Sequence, residues 1–102
     1  DEQARVRQIL WNILPVSARV QGLLNDARLA SRPTPMPFER IAAPTLAVSV
    51  QDDRFGTYAA AQHIAATVPG ARLLSWPTGG HVWVGHDAEL FAEVDAFLRT
   101  TA

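Results

Sequence analysis

The chain has no cysteine, and all nine of its basic residues are arginine. The first absence excludes a disulfide framework, a thiolate metal site and a catalytic thiol. The absence of lysine excludes Schiff-base chemistry on a lysine of this chain. No apolar run approaches the roughly twenty residues that cross a bilayer, so no membrane span is expected. Charge of either sign is scarce: ten acidic residues against nine basic give a net charge of -1. A nucleic-acid partner is therefore not expected, because it would call for a basic excess. The opening Asp1-Glu2-Gln3-Ala4-Arg5 has neither the basic nor the apolar stretch of a signal peptide, and a cytoplasmic location is the expectation. It runs straight into a helical pattern, so an upstream segment is expected as well.

What is present suffices for one ordinary domain, since 48% of the 102 residues are hydrophobic. Residues 1–31 read as two short helices. Val6, Ile9, Leu10, Ile13 and Leu14 share one helical face, with Trp11 at its edge. Pro15 breaks that helix. Ser17 is the expected N-cap of the second helix, with Val20, Leu23, Leu24 and Ala27 as its buried stripe and Gly22 opposite. The alternating prolines Pro33, Pro35 and Pro37 open a stiff connector over residues 32–43.

From Pro44 the pattern changes. Thr45–Val50 reads as a strand buried on both faces. A helix over 57–68 follows, with Ala61, Ile64, Ala65 and Val68 on one face. Pro69-Gly70 turns the chain into a second strand, 71–76. A closing helix over 87–100 carries Leu90, Phe91, Val94, Phe97 and Leu98 in an arc of roughly a third of its circumference. The expected fold class is α/β, a βαβα unit over 44–102 with parallel strands and a right-handed crossover, preceded by two helices. Two parallel strands are not independently stable. The first strand should keep an open apolar edge, to be completed by an upstream part of the same polypeptide, a second chain or another copy.

Two loops draw attention to themselves. Asp53 lies three residues beyond the first strand and His81 just beyond the second, after Gly79-Gly80. Parallel neighbours bring both loops to one carboxyl rim, where open α/β sheets bind their ligands. There a carboxylate can accept a hydrogen bond from one imidazole nitrogen and leave the other free to take a proton. Asp52 could equally occupy the turn and is the alternative acid. His63 is expected in solvent, His86 as a capping residue, and Glu89, Glu93, Asp95 and Arg99 as a solvated face. A metal site from Asp52, Asp53, His81 and His86 lacks any i, i+4 histidine pair and is not expected. No Gly-rich phosphate loop and no organic cofactor motif are present.

The stretch from Ile41 to Leu98 resembles the carboxyl-terminal end of an α/β-hydrolase. The resemblance is carried by Ala43-Pro44-Thr45-Leu46, Asp52-Asp53-Arg54-Phe55, Val68-Pro69-Gly70-Ala71-Arg72-Leu73 and Pro77-Thr78-Gly79-Gly80-His81, followed by an amphipathic helix. It implies that Asp53 matches the triad acid and His81 the triad base, with 1–31 as the end of a helical cap, 32–43 a linker and 44–102 the closing βαβα of the core. Trp11 and Leu14 would then pack in a core or line a substrate pocket. The family often has Gly where this chain has Val50, three residues before the acid. The family's Gly-x-Ser-x-Gly elbow is missing, and Ser17, Ser31, Ser49 and Ser75 lie in other contexts. The implied activity is serine-type hydrolysis of an ester-like small-molecule substrate, without metal or cofactor. These residues hold two of the three triad members and should be inactive alone. A non-catalytic binding protein of the same fold is the rival expectation.

Overall fold

A computed structural model describes residues 1–102. It divides into two compact units, Asp1–Met36 and Pro37–Ala102. No helix is long and apolar enough to cross a membrane.

The first unit contains helix α1, Glu2–Ile13, a 3₁₀ turn over Val16–Arg19, and helix α2, Val20–Ala30. Asp1 caps α1 by accepting the Gln3 N–H at 2.9 Å. Pro15 ends α1 as expected. Ser17, the expected N-cap of α2, instead lies inside the 3₁₀ turn. That turn is closed by the Ala18 N–H on the Pro15 carbonyl, so α2 begins at Val20 without a side-chain cap. The expected buried stripes also differ. Neither helix contains a buried residue, and Leu10, Leu14, Leu23 and Leu24 are all at least half exposed. Trp11 is 65% exposed, so it belongs to no core here. The amphipathic pattern is real, but two short helices do not bring enough apolar surface to bury it.

The second unit is α/β. After a 3₁₀ turn at Phe38–Arg40 come strand β1 (Leu46–Val50), helix α3 (Thr57–Thr67), strand β2 (Arg72–Trp76), a 3₁₀ turn at Gly80–Val82 and helix α4 (Asp87–Thr101). The strands are parallel and pair residue for residue, from Leu46 with Arg72 to Val50 with Trp76. The ladder runs one step further at each end, through Arg72 N–H to the Thr45 carbonyl and Gln51 N–H to the Trp76 carbonyl. The sheet has these two strands only, so the other edge of β1 is unpaired.

Strand alternation sorts β1 into two faces. Ser49 meets α3 through its hydroxyl, 2.8 Å from that of Thr57. Val50 packs with Trp76 and Leu90 on the other face, joined by Val48, Leu74, Trp83 and Val94. Of the expected arc on α4, Leu90 is buried, while Phe91 and Leu98 stay exposed at 63% and 59%. Two strands spaced about 4.8 Å apart form a surface narrower than a helix with its side chains. One row of α4 is covered and the flanks are not.

The small core makes a sharp contrast testable. Leu90→Ala should cost about 2–5 kcal/mol in urea unfolding, the usual penalty for truncating a buried leucine. Leu98→Ala on the same helix should cost within about 0.5 kcal/mol. Equal effects of the two would contradict this core.

Candidate functional site

The acidic loop grows directly out of β1. The Asp53 N–H closes a turn on the Val50 carbonyl at 3.1 Å. Asp53 Oδ1 accepts the Phe55 N–H at 2.8 Å, a side-chain turn of the kind aspartate favours before a helix. Gly56 then enters α3 in the left-handed region, at φ 73°. That placement sets Thr57, at the first position of α3, to donate its hydroxyl proton to Asp53 Oδ2.

The second loop grows out of β2. Gly79 and Gly80 take positive φ, 140° and 63°. The turn they form delivers His81 to the same rim, with its Nδ1 2.8 Å from Asp53 Oδ2. The two residues are 28 positions apart in sequence. The Asp53 side chain is 4% exposed and that of His81 is 55% exposed. The Phe55 ring lies against the imidazole, with centroids 4.6 Å apart at 52°.

Hydrogen bonding holds the Asp53 carboxyl down at about 2, chiefly through the Thr57 hydroxyl, then the Phe55 N–H and His81, against the opposing effect of burial. An ionised carboxylate only accepts, so His81 Nδ1 carries the proton and donates it. Nε2 of the neutral ring is then an acceptor. His81 borders a recess of about 390 Å³ whose lining also includes Val48, Ser49, Val50, Asp53, Thr57, Gly80, Trp83 and Leu90. Three consecutive β1 residues in that lining mean that the recess runs along the edge of the strand rather than over one face.

Of the two adjacent carboxylates, Asp53 reaches His81. Asp52 instead accepts the Gly80 N–H at 2.8 Å and faces the Gly79 N–H at 3.4 Å. His86 is the N-cap residue of α4, yet its side chain makes no capping bond. Its Nε2 meets the Thr78 carbonyl at 2.9 Å, because its ring is turned to lie on Trp76. Asp52 and His86 are thus hydrogen-bonded to backbone groups of the histidine loop, and Asp52 borders Asp53 and His81 in a second recess. His63 is exposed, with an edge contact to Phe38. Glu89 and Glu93 are not merely solvated: one accepts the Trp76 indole N–H at 2.9 Å, and the other lies 3.7 Å from Arg72. In the first unit Trp11 and Leu14 are exposed, and the small groove on α2 is lined by Gln21, Leu24, Asn25 and Arg28.

Sequence reasoning did not find Thr57, Ser49 or Phe55. Thr57 carried a usable signal, a hydroxyl four residues after an acid at the start of a helix. Ser49 carried none beyond being a polar residue in an apolar strand.

Two expectations follow from this network. Asp53 is ionised in the folded chain well below its ordinary 3.8, so it contributes stability that is complete above that value. That contribution is lost as pH falls from about 3.8 to about 2. Carbon-13 titration of the Asp53 carboxyl should show the low midpoint, and Thr57→Val should raise it toward the ordinary value. An unchanged midpoint in that variant would contradict the leading role of Thr57. Separately, Gly79→Ala places a Cβ 3.2 Å from both His86 Cδ2 and the Val84 carbonyl oxygen, at a φ of 140°. It should destabilise the protein by about 1–3 kcal/mol in denaturant unfolding, whereas a loss below about 0.5 kcal/mol would show that the loop yields freely.

The chain matches no protein-family model, no curated protein and no solved structure, so its function is read from the site itself.

Proposed function

We propose that the chain is the carboxyl-terminal portion of an α/β-hydrolase, in which Asp53 and His81 serve as the acid and base of a serine-type triad. The observation that carries this reading is the 2.8 Å contact of His81 Nδ1 with a nearly buried Asp53 carboxylate at the carboxyl rim of two parallel strands. The order of motifs from Ala43 to His81 supports it. In this reading His81 Nε2 takes the proton of a serine hydroxyl as that oxygen attacks an ester-like carbonyl. The imidazolium returns the proton to the leaving group, and the neutral ring then activates water to release the acyl group. Asp53 holds the ring in the Nδ1–H tautomer and stabilises the imidazolium. No metal or organic cofactor enters these steps.

The nucleophile and the oxyanion donors come from outside these 102 residues, from an upstream part of the same polypeptide or from a second chain. Either would complete the sheet along the free edge of β1. The recess beside that edge is lined in part by Asp53 and His81, so a segment docked there brings its residues next to that pair. Residues 1–31 correspond in this reading, by their place in the sequence, to the end of a cap.

The test uses the complete polypeptide that carries this sequence, with short-chain p-nitrophenyl esters as substrates. Asp53→Asn and His81→Ala should each lower turnover by about 10⁴-fold while circular dichroism shows the fold retained. Near-normal turnover in either folded variant would remove the role assigned to that residue. A complete polypeptide that neither turns over esters nor reacts with a fluorophosphonate would favour a non-catalytic binding protein of the same fold.

A further inference from the structure

We infer that Asp52 and His86 are positioning residues of this site, gripping the Thr78–Gly80 turn at its two ends and thereby aiming His81 at Asp53. Their role presupposes the pairing of Asp53 with His81 proposed above. Both are hydrogen-bonded to the backbone of that turn. Asp52, on the loop after β1, accepts the Gly80 N–H at 2.8 Å and faces the Gly79 N–H at 3.4 Å. It therefore ties the histidine loop to the acid loop through backbone one residue away from His81.

His86 holds the other end of the turn, at Thr78. A carbonyl oxygen only accepts, so the Thr78 carbonyl at 2.9 Å fixes the proton of His86 on Nε2. The ring is itself anchored. It stacks on the Trp76 indole with centroids 4.7 Å apart at 16°, and Trp76 is 7% exposed within the core. The Trp76 indole N–H is in turn held by Glu89, whose Oε2 lies 3.7 Å from His86 Nδ1. A Cβ on Gly79 would stand 3.2 Å from His86 Cδ2, so the ring lies directly against the backbone of the turn. The loop's own contribution is the Val84 N–H on the Gly79 carbonyl at 2.8 Å and the Trp83 N–H on the Gly80 carbonyl at 3.2 Å.

The groups around His81 itself are few. Asp53 bonds it, Phe55 lies on it, and Asp52 and Arg54 share its surroundings. On α4, Asp87 is bonded to the Trp83 indole and Glu89 to that of Trp76. His81 is thus held at one nitrogen by one carboxylate. A loop displaced by about 1 Å loses that geometry, which is why support behind a functional side chain matters.

Long-range proton–nitrogen correlation spectra of the three imidazoles test this, recorded on the protein at a pH where the rings are neutral. The native His81 should be the Nδ1–H tautomer. Asp52→Ala removes both acceptors. His86→Phe keeps a ring on Trp76 but removes the donor. Each should shift His81 toward the Nε2–H form that a solvated histidine side chain favours in water. Asp52→Ala should also speed exchange of the Gly80 amide about fivefold, the equivalent of one net hydrogen bond. Asp52→Asn, which keeps one acceptor, and His86→Gln, which keeps an N–H donor, should hold His81 in the Nδ1–H form. Unchanged Val50 methyl shifts certify the core in each variant, and Asp52→Leu, which likewise has no acceptor, replaces Asp52→Ala if the latter does not fold. An undiminished Nδ1–H population in both Asp52→Ala and His86→Phe would overturn the inference. A shift in only one of them would overturn the grip at two ends. If Asp53→Ala also leaves the population unchanged, the Asp53–His81 pairing fails, and with it the proposed triad role.

Discussion

The site depends on the register of one parallel strand pair. Val50 sits opposite Trp76, and the Gln51 N–H continues the ladder to the Trp76 carbonyl. Both strands therefore end at the same level. The loops that leave them start side by side, although Asp53 and His81 are 28 residues apart. A slip of one residue would turn Val48 and Val50 toward α3 and Ser49 away from it. The core made by Val50, Trp76 and Leu90 and the hydroxyl chain from Ser49 to Asp53 would fail together. The same pairing thus specifies the core and the site.

Within that frame a nearly buried carboxylate stays ionised. Burial alone would favour its neutral form, but the Thr57 hydroxyl, the Phe55 N–H and His81 all donate to it. Their combined effect outweighs desolvation. The consequence reaches beyond Asp53 itself. An acceptor-only partner at Nδ1 decides which nitrogen of His81 keeps its proton, and so leaves Nε2 as the acceptor. His86 shows the opposite case a few residues away, where a carbonyl partner at Nε2 decides the tautomer the other way.

Much of this was legible in the sequence. The apolar run before Gln51, the Pro69-Gly70 turn and the Gly79-Gly80 pair mark the βαβα elements to within a residue or two. Parallel pairing then implies that the two loops meet. Spacing favours Asp53 over Asp52 without deciding between them, because adjacent residues differ only in where the turn points their side chains. The Phe55 N–H and the Thr57 hydroxyl make that choice. The burial of the amphipathic stripes was misjudged for one reason throughout. Periodicity marks a face that can be buried, whereas burial itself requires a facing surface. The first unit contains none wide enough for Leu10, Leu14, Leu23 and Leu24, and a two-stranded sheet covers only one row of α4.

Neutron diffraction from a deuterium-exchanged crystal of the protein, grown above neutral pH, tests the central claim most directly. The account predicts a deuteron on His81 Nδ1, directed at Asp53 Oδ2, and a bare Nε2. A deuteron on Nε2 with Nδ1 bare, or an imidazole turned away from Asp53, would contradict it.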